Sequence, residues 1–249
     1  MNTSQLTCKG DKGFTLVELA IVMIIIGLLI GGVLKGQELI TNAQVTSTAS
    51  QVKGFDAAIT TFRDAQNALP GDLATPNVRL PNCAGVPCSR VGNANGIING
   101  AGLPGVANTT DDEAGAAWAQ MNAANLISGV QQDAALQGFG TLTPSASIGG
   151  GYFLNYSANG AANARTGPLF PVGHYLTLAG VANANLSGNN GLLTTAKAAR
   201  IDRKLDDGIP NSGNVRGAGT NCASVATVAG VWNEANETAR CALHIRVQN

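Results

Sequence analysis

Charge is scarce in this chain of 249 residues: 12% are Asp, Glu, Lys or Arg, about half the usual content, and 15 basic side chains offset 15 acidic ones. A zero balance lacks the electrostatic footprint by which a protein holds nucleic acid through bulk charge, so no nucleic-acid partner is expected on that ground. Aromatic residues are rare as well, at 4%, while glycine fills 32 positions, so small and aliphatic side chains must build the core. The sequence has no phosphate loop, no HExxH pair and no dinucleotide fingerprint. Its two histidines, His174 and His244, have no nucleophile or acid arranged beside them. They read as strand residues, and no enzymatic activity is expected. Proline is missing between Met1 and Ala68, which leaves room for one long helix. Apolar residues are plentiful at 45%, too many for a disordered chain, and the length allows one or two modest domains. Cysteine occurs five times, an odd number that needs explaining.

The apolar residues are concentrated. Phe14 to Leu34 is a run of 21 residues whose sole charge is Glu18. At the helical rise it spans about 30 Å, enough for the hydrocarbon layer of a membrane. Lys9 and Lys12 precede it and Lys35 follows. A secretory signal would need a small-x-small cleavage site after the run, and Ile40-Thr41-Asn42-Ala43 is a poor one. Glu18 fits badly in a plain anchor, because a carboxylate at membrane depth costs a few kcal/mol.

Lys12-Gly13-Phe14-Thr15-Leu16-Val17-Glu18-Leu19, followed by an unbroken apolar run, resembles the N-terminus of type IV prepilins and type II secretion pseudopilins. The resemblance covers roughly the first fifty residues. It implies that a membrane aspartic peptidase, the prepilin peptidase, cuts after Gly13 and methylates the amine of Phe14. Residues 1–13 are then a leader, and 14–34 span the inner membrane before packing in a filament core. Other copies of the chain and related pilins are the implied partners. The head would face the periplasm, and the assembled protein would lie in an extracellular pilus or a periplasmic pseudopilus. Loss of the leader removes Cys8, leaving four cysteines, and changes the charge count to 13 basic and 14 acidic residues. Cleavage would also place an ammonium on Phe14 near Glu18 in apolar surroundings, where an unpartnered ion costs about 3–5 kcal/mol. The resemblance implies that Glu18 pairs with the amine of a neighbouring subunit; an intramolecular pair is equally open.

Val45, Val52, Phe55, Ile59, Phe62 and Leu69 continue the pattern at helical spacing. One helix from Phe14 to Ala68 is expected, ended by Pro70-Gly71, with residues 35–69 an amphipathic continuation that packs on a head formed by 70–249. Gly27, Gly31, Gly32 and Gly36 lie inside it, each costing up to about 1 kcal/mol relative to alanine. They suit either a segment that stretches on leaving the membrane or close helix packing.

Within the head, 70–110 is rich in Gly, Asn and Pro and reads as a long loop. Thr110–Ile127 reads as a helix capped by Thr110 with Glu113, its Ala114, Trp118, Met121 and Asn125 on one core-facing side. A second helix is expected at Leu192–Leu205, and strands at Tyr152–Tyr156, His174–Leu178, Val225–Trp232 and Cys241–Val247. The expected fold class is α+β: the long helix laid on a small antiparallel sheet, with extra helices and long loops. That is the pilin-like fold the N-terminus implies. Leu69-Pro70-Gly71-Asp72, Trp118 with Ala124-Asn125-Leu126-Ile127, and Ile201 to Gly208 also resemble segments of a pilin-like subgroup.

Cys83, Cys88, Cys222 and Cys241 permit three disulfide pairings. The preferred one joins Cys83 to Cys88 across a small loop and Cys222 to Cys241 across the C-terminal hairpin; the latter resembles the bond that bounds a surface loop in many pilins. A four-thiolate zinc site is the rival, but the spacing is poor for zinc. Asp202, Asp206, Asp207, Asn211 and Asn214 crowd oxygen ligands into thirteen residues, so calcium is a possible cofactor; a solvated helix end beside Arg200 and Arg203 is the alternative. Asn108, Asn155, Asn185 and Asn236 lie in N-x-S/T tripeptides, where no modification is expected. The leading expectation is a structural filament subunit. The alternatives are a type II secretion pseudopilin and, from another class, a membrane-anchored periplasmic binding protein or enzyme.

Overall fold

The computed structural model describes residues 13–100, 112–131, 138–157, 170–180, 191–219, 222, 230–238 and 240–247. The chain divides into two compact units, Met1–Ala43 and Gln44–Asn249. Helix α1, Leu16–Gln66, supplies residues to both.

In the first unit α1 is the whole of the described regular structure. Its most apolar 18-residue window has a mean hydropathy of 2.7 and no buried residue, so the helix is long and apolar enough to cross a membrane. Leu16, Ile24 and Leu28 are among the apolar side chains it leaves exposed.

In the second unit α1 buries Val45, Thr48, Ala49, Val52, Ala58, Ile59 and Phe62, a stripe at intervals of three and four. Phe55 packs edge-on against Trp118 and Tyr152, with ring centroids 5.2 and 5.1 Å away. The helix stops where Asn67 takes a left-handed φ of 50°, and the Arg79 guanidinium donates to the carbonyl of Gln66. Gly71 then turns the chain at φ 88°; a Cβ there would meet the Glu113 carbonyl at 2.1 Å, so glycine is required.

Among its described residues, the expected loop at 70–110 contains one short helix, α2 (Pro76–Arg79). Helix α3 spans Glu113–Ala123, shorter than Thr110–Ile127. Thr110 lies outside the described residues, and Asp112 is the cap, its carboxylate accepting from Gly115 N. The Glu113 carboxylate accepts from the amides of Asn93 and Asn99. The helix ends early because Asn125 is left-handed, at φ 57°, and Leu126 N donates back to Met121 O in a Schellman closure. Trp118 and Met121 are fully buried. Helix α4 spans Thr195–Leu205 rather than starting at Leu192, because Leu193 and Cys241 exchange backbone hydrogen bonds as a β-bridge.

Strands β1 (Gly151–Ser157), β2 (Gly173–Ala179), β3 (Val215–Ala218) and β4 (Ala242–Arg246) form one antiparallel sheet in the order β1-β2-β4-β3. Pairing Leu154 with Leu176 and Leu176 with Ile245 sets an apolar face of Tyr152, Leu154, Leu176, Leu178, Leu243, Ile245 and Val215, all members of the core cluster that includes α1 and α3. The opposite face is buried too, with Phe153, Asn155, Thr177 and His244. Strand β3 was not anticipated. The strand expected at Val225–Trp232 falls largely outside the described residues; of 230–232, only Trp232 is bridged. The fold is α+β, a long N-terminal apolar helix with a small antiparallel sheet and extra helices.

Candidate functional site

The N-terminal segment is built by a local rule. Gly13, Phe14 and Thr15 precede the helix in non-helical conformation, and Phe14 is exposed. Thr15 Oγ1 accepts from Glu18 N at 3.3 Å, while the Glu18 carboxylate accepts from Thr15 N at 2.9 Å and from Thr15 Oγ1 at 2.8 Å. This is a capping box, in which residues three apart satisfy each other's backbone amides at a helix start. Glu18 thus begins the helix as well as carrying its only charge before Lys35. The Thr-x-x-Glu signal lies inside the longer Lys12–Leu19 motif. Gly27, Gly31, Gly32 and Gly36 lie in regular helix, and a Cβ built on any of them would find nothing within 4 Å.

The family model for the prokaryotic N-terminal methylation motif matches residues 8–34. Residues 8–34 carry the prepilin-type cleavage and methylation segment. No curated protein and no solved structure matches the chain. The methylation motif supports a pilin-like or pseudopilin-like precursor, and the α+β fold behind it fits that class.

Beyond the motif, the structure joins Cys83 to Cys88 and Cys222 to Cys241, with Cα separations of 5.2 and 5.7 Å. These four sulfurs are consumed in disulfides and none is a thiolate for zinc. Cys8 lies outside the described residues. A second tie was invisible in sequence: Asp72 accepts from the amides of Asn95 and Gly96, and Glu113 from those of Asn93 and Asn99. Two carboxylates on separate segments thus hold the glycine–asparagine loop. Burial raises the Glu113 carboxyl above its ordinary range; the loop amides work against that shift and the neighbouring Asp72 charge adds to it.

At the end of α4, Asp202, Asp206 and Asp207 each place a carboxylate oxygen within 4.8 Å of the others. Asp202 is buried, Asp206 half-buried and Asp207 exposed. Burial pushes Asp202 up to about 6, opposed by the Trp232 indole and the Gly208 amide and reinforced by the charges of Asp207 and Asp206. Asn214 serves this cluster through its backbone amide, which donates to Asp206.

The histidines have separate structural partners. His174 Nε2 accepts from Ile98 N at 3.0 Å, and His244 Nδ1 lies 2.8 Å from Thr177 Oγ1. Burial pushes His244 down to about 3, so it stays neutral at physiological pH. Asn155 is buried in β1, Asn236 turns onto Thr238, and Asn108 and Asn185 lie outside the described residues.

Proposed function

We propose that this chain is a structural subunit of a type IV pilus-like filament, cut after Gly13 by a prepilin peptidase and polymerised through Phe14–Leu34. The observation that carries the reading is the methylation motif at 8–34 running into an apolar helix that buries none of its most hydrophobic window. A helix apolar all round needs an apolar environment, and lipid before assembly and neighbouring helices after it supply one in turn.

The precursor would sit in the inner membrane with its head in the periplasm, an oxidising compartment where two disulfides persist. Cleavage converts the Phe14 amide into an ammonium one residue before the Thr15–Glu18 capping box. Glu18 then pairs its charge with that ammonium, and pairing across subunits would set the stagger of the filament. Gly27, Gly31, Gly32 and Gly36 weaken the helix in the stretch that changes surroundings.

Electron microscopy of cells with and without the protein tests the proposal. Filaments at the surface that vanish on deletion are the expected result. Intact surface filaments together with a secretion defect would move the protein to a secretion pseudopilus. Monomeric protein in the membrane, with neither phenotype, would overturn assembly.

A further inference from the structure

The sheet face opposite the α1 core carries a row of paired residues across all four strands: Phe153, Thr177, His244 and Arg216, on β1, β2, β4 and β3. Thr177 Oγ1 bonds in two directions, to Asn155 Oδ1 at 2.7 Å and to His244 Nδ1 at 2.8 Å. Asn155 Oδ1 can only accept, so the single threonine proton goes there, and His244 Nδ1 carries the hydrogen that it donates to Thr177. His244 Nε2 is then a bare lone pair, fully buried and without a hydrogen-bond partner. Phe170 closes over the imidazole edge-on, with centroids 4.9 Å apart, and packs on Tyr175 at 5.4 Å. The charged and titratable groups on this face of the described strands are Arg216 on β3, Arg246 on β4 and Tyr175 on β2. The covering Phe170-Pro171-Val172 adds none, and the four strands contain no Asp or Glu.

We propose that His244 is a proton-operated catch: when its ring gains a proton, Phe170 lifts and this face of the sheet opens to water. A proton on Nε2 creates a buried ion whose new N–H has no acceptor, and the fixed charges of the face, Arg216 and Arg246, repel it. No strand carboxylate can pair with it, so water is the remaining partner, and reaching water means displacing Phe170. The cover is tied down by side chains: Tyr175 Oη donates to Pro171 O at 2.9 Å, and Arg246 Nη2 to Val172 O at 3.0 Å. Those ties can break while the strands stay paired. Burial holds His244 at about 3 in the closed form, against an ordinary 6.5. Between those values the closed form binds fewer protons than the open one, so closure is complete above the ordinary value and weakens as pH falls. The ratio of open to closed rises about tenfold for each pH unit, and the dependence ends near the closed-form value. Glu113 and Asp202, whose carboxyls burial raises, act in the opposite sense; a His244 variant leaves them unchanged, so comparing the two chains cancels them. The catch does not depend on filament assembly, and the two readings fail separately.

The test is hydroxyl-radical footprinting of the full chain in detergent micelles, read by mass spectrometry at steps from neutral pH to about pH 4. Phe170 and Tyr175 should become modified about tenfold faster per pH unit below the ordinary histidine value, until the open form dominates. Phe62, in the α1 core, should stay protected throughout. His244→Asn keeps an N–H for Thr177 but cannot titrate, and should remove the pH dependence. Nitrogen-15 spectra of histidine-labelled wild-type chain supply a measurement that needs no variant: a charged His244 ring should appear with the same midpoint as Phe170 exposure. The catch is overturned if Phe170 and Tyr175 stay protected across the range, if His244→Asn opens as the wild type does, or if the two midpoints differ.

Discussion

Gln120 offers a quantitative test of how the head is held together. Its side chain is fully buried in α3 and satisfies three backbone groups: Oε1 accepts from Gly71 N at 2.7 Å, and Nε2 donates to the carbonyls of Cys88 and Arg90, each at 3.2 Å. One amide thus connects α3, the turn after α1 and the Cys83–Cys88 loop. Gln120→Leu preserves much of the volume and removes all three partners. Gly71 and Cys88 are buried, so their N–H and C=O would be left unsatisfied at about 1–3 kcal/mol each, while Arg90 is half-exposed and water can replace its partner. Removing the buried amide offsets part of that, giving a net loss of about 3 kcal/mol. For a unit of this size each kcal/mol lowers Tm by about 2–4 °C, so a fall of about 6–12 °C is expected. Thermal unfolding followed by circular dichroism of the full chain in detergent micelles would measure it. Gln120→Glu should destabilise further as pH rises, since an ionised oxygen would face two carbonyls. A loss below about 1 kcal/mol for Gln120→Leu would refute the reasoning, because the orphaned groups would then have found other partners.

Two further outcomes are expected. Glu18→Ala should leave cleavage intact and abolish filaments, since an unpaired ammonium costs about 3–5 kcal/mol per subunit; Thr15→Val, which removes only the cap hydroxyl, costs about 0.5–2 kcal/mol and should reduce filament yield modestly. Equal filament yields from the two variants, read by shearing and blotting, would show that capping rather than charge is what matters. Glu113 has a raised folded-state pKa, so its contribution to stability is present below the ordinary carboxylate value and is lost as pH rises through the folded value. Denaturant titrations across that window should therefore give a flatter pH profile for Glu113→Gln than for the wild type; identical slopes would contradict the assignment.

The long helix was legible because composition alone carries it: an apolar run without proline, then a stripe at 45, 52, 55, 59 and 62. The Cys241–Val247 strand was legible from its period of two. Strand β3 was not, since Val215-Arg216-Gly217-Ala218 is short and interrupted by a glycine. What fits Gly217 to the sheet is remote: a Cβ there would lie 2.3 Å from the Trp232 ring. The cap of α3 was misplaced by two residues because Thr110 and Asp112 are both good caps, and Glu113 is bound by a loop fourteen to twenty residues upstream. At the acidic cluster, the crowding of Asp202, Asp206 and Asp207 could be read from spacing. The unpartnered Asp202 Oδ1 and the indole on Oδ2 could not, because Trp232 lies thirty residues away. Residue type announces local structure, whereas a tie between distant segments shows only once the chain has folded.

The most direct test of the central claim is mass spectrometry of the N-terminus of the protein recovered from cells. A chain beginning at Phe14 with a methylated amine is the predicted result. A chain that keeps residues 1–13 in cells possessing an active prepilin peptidase would contradict it.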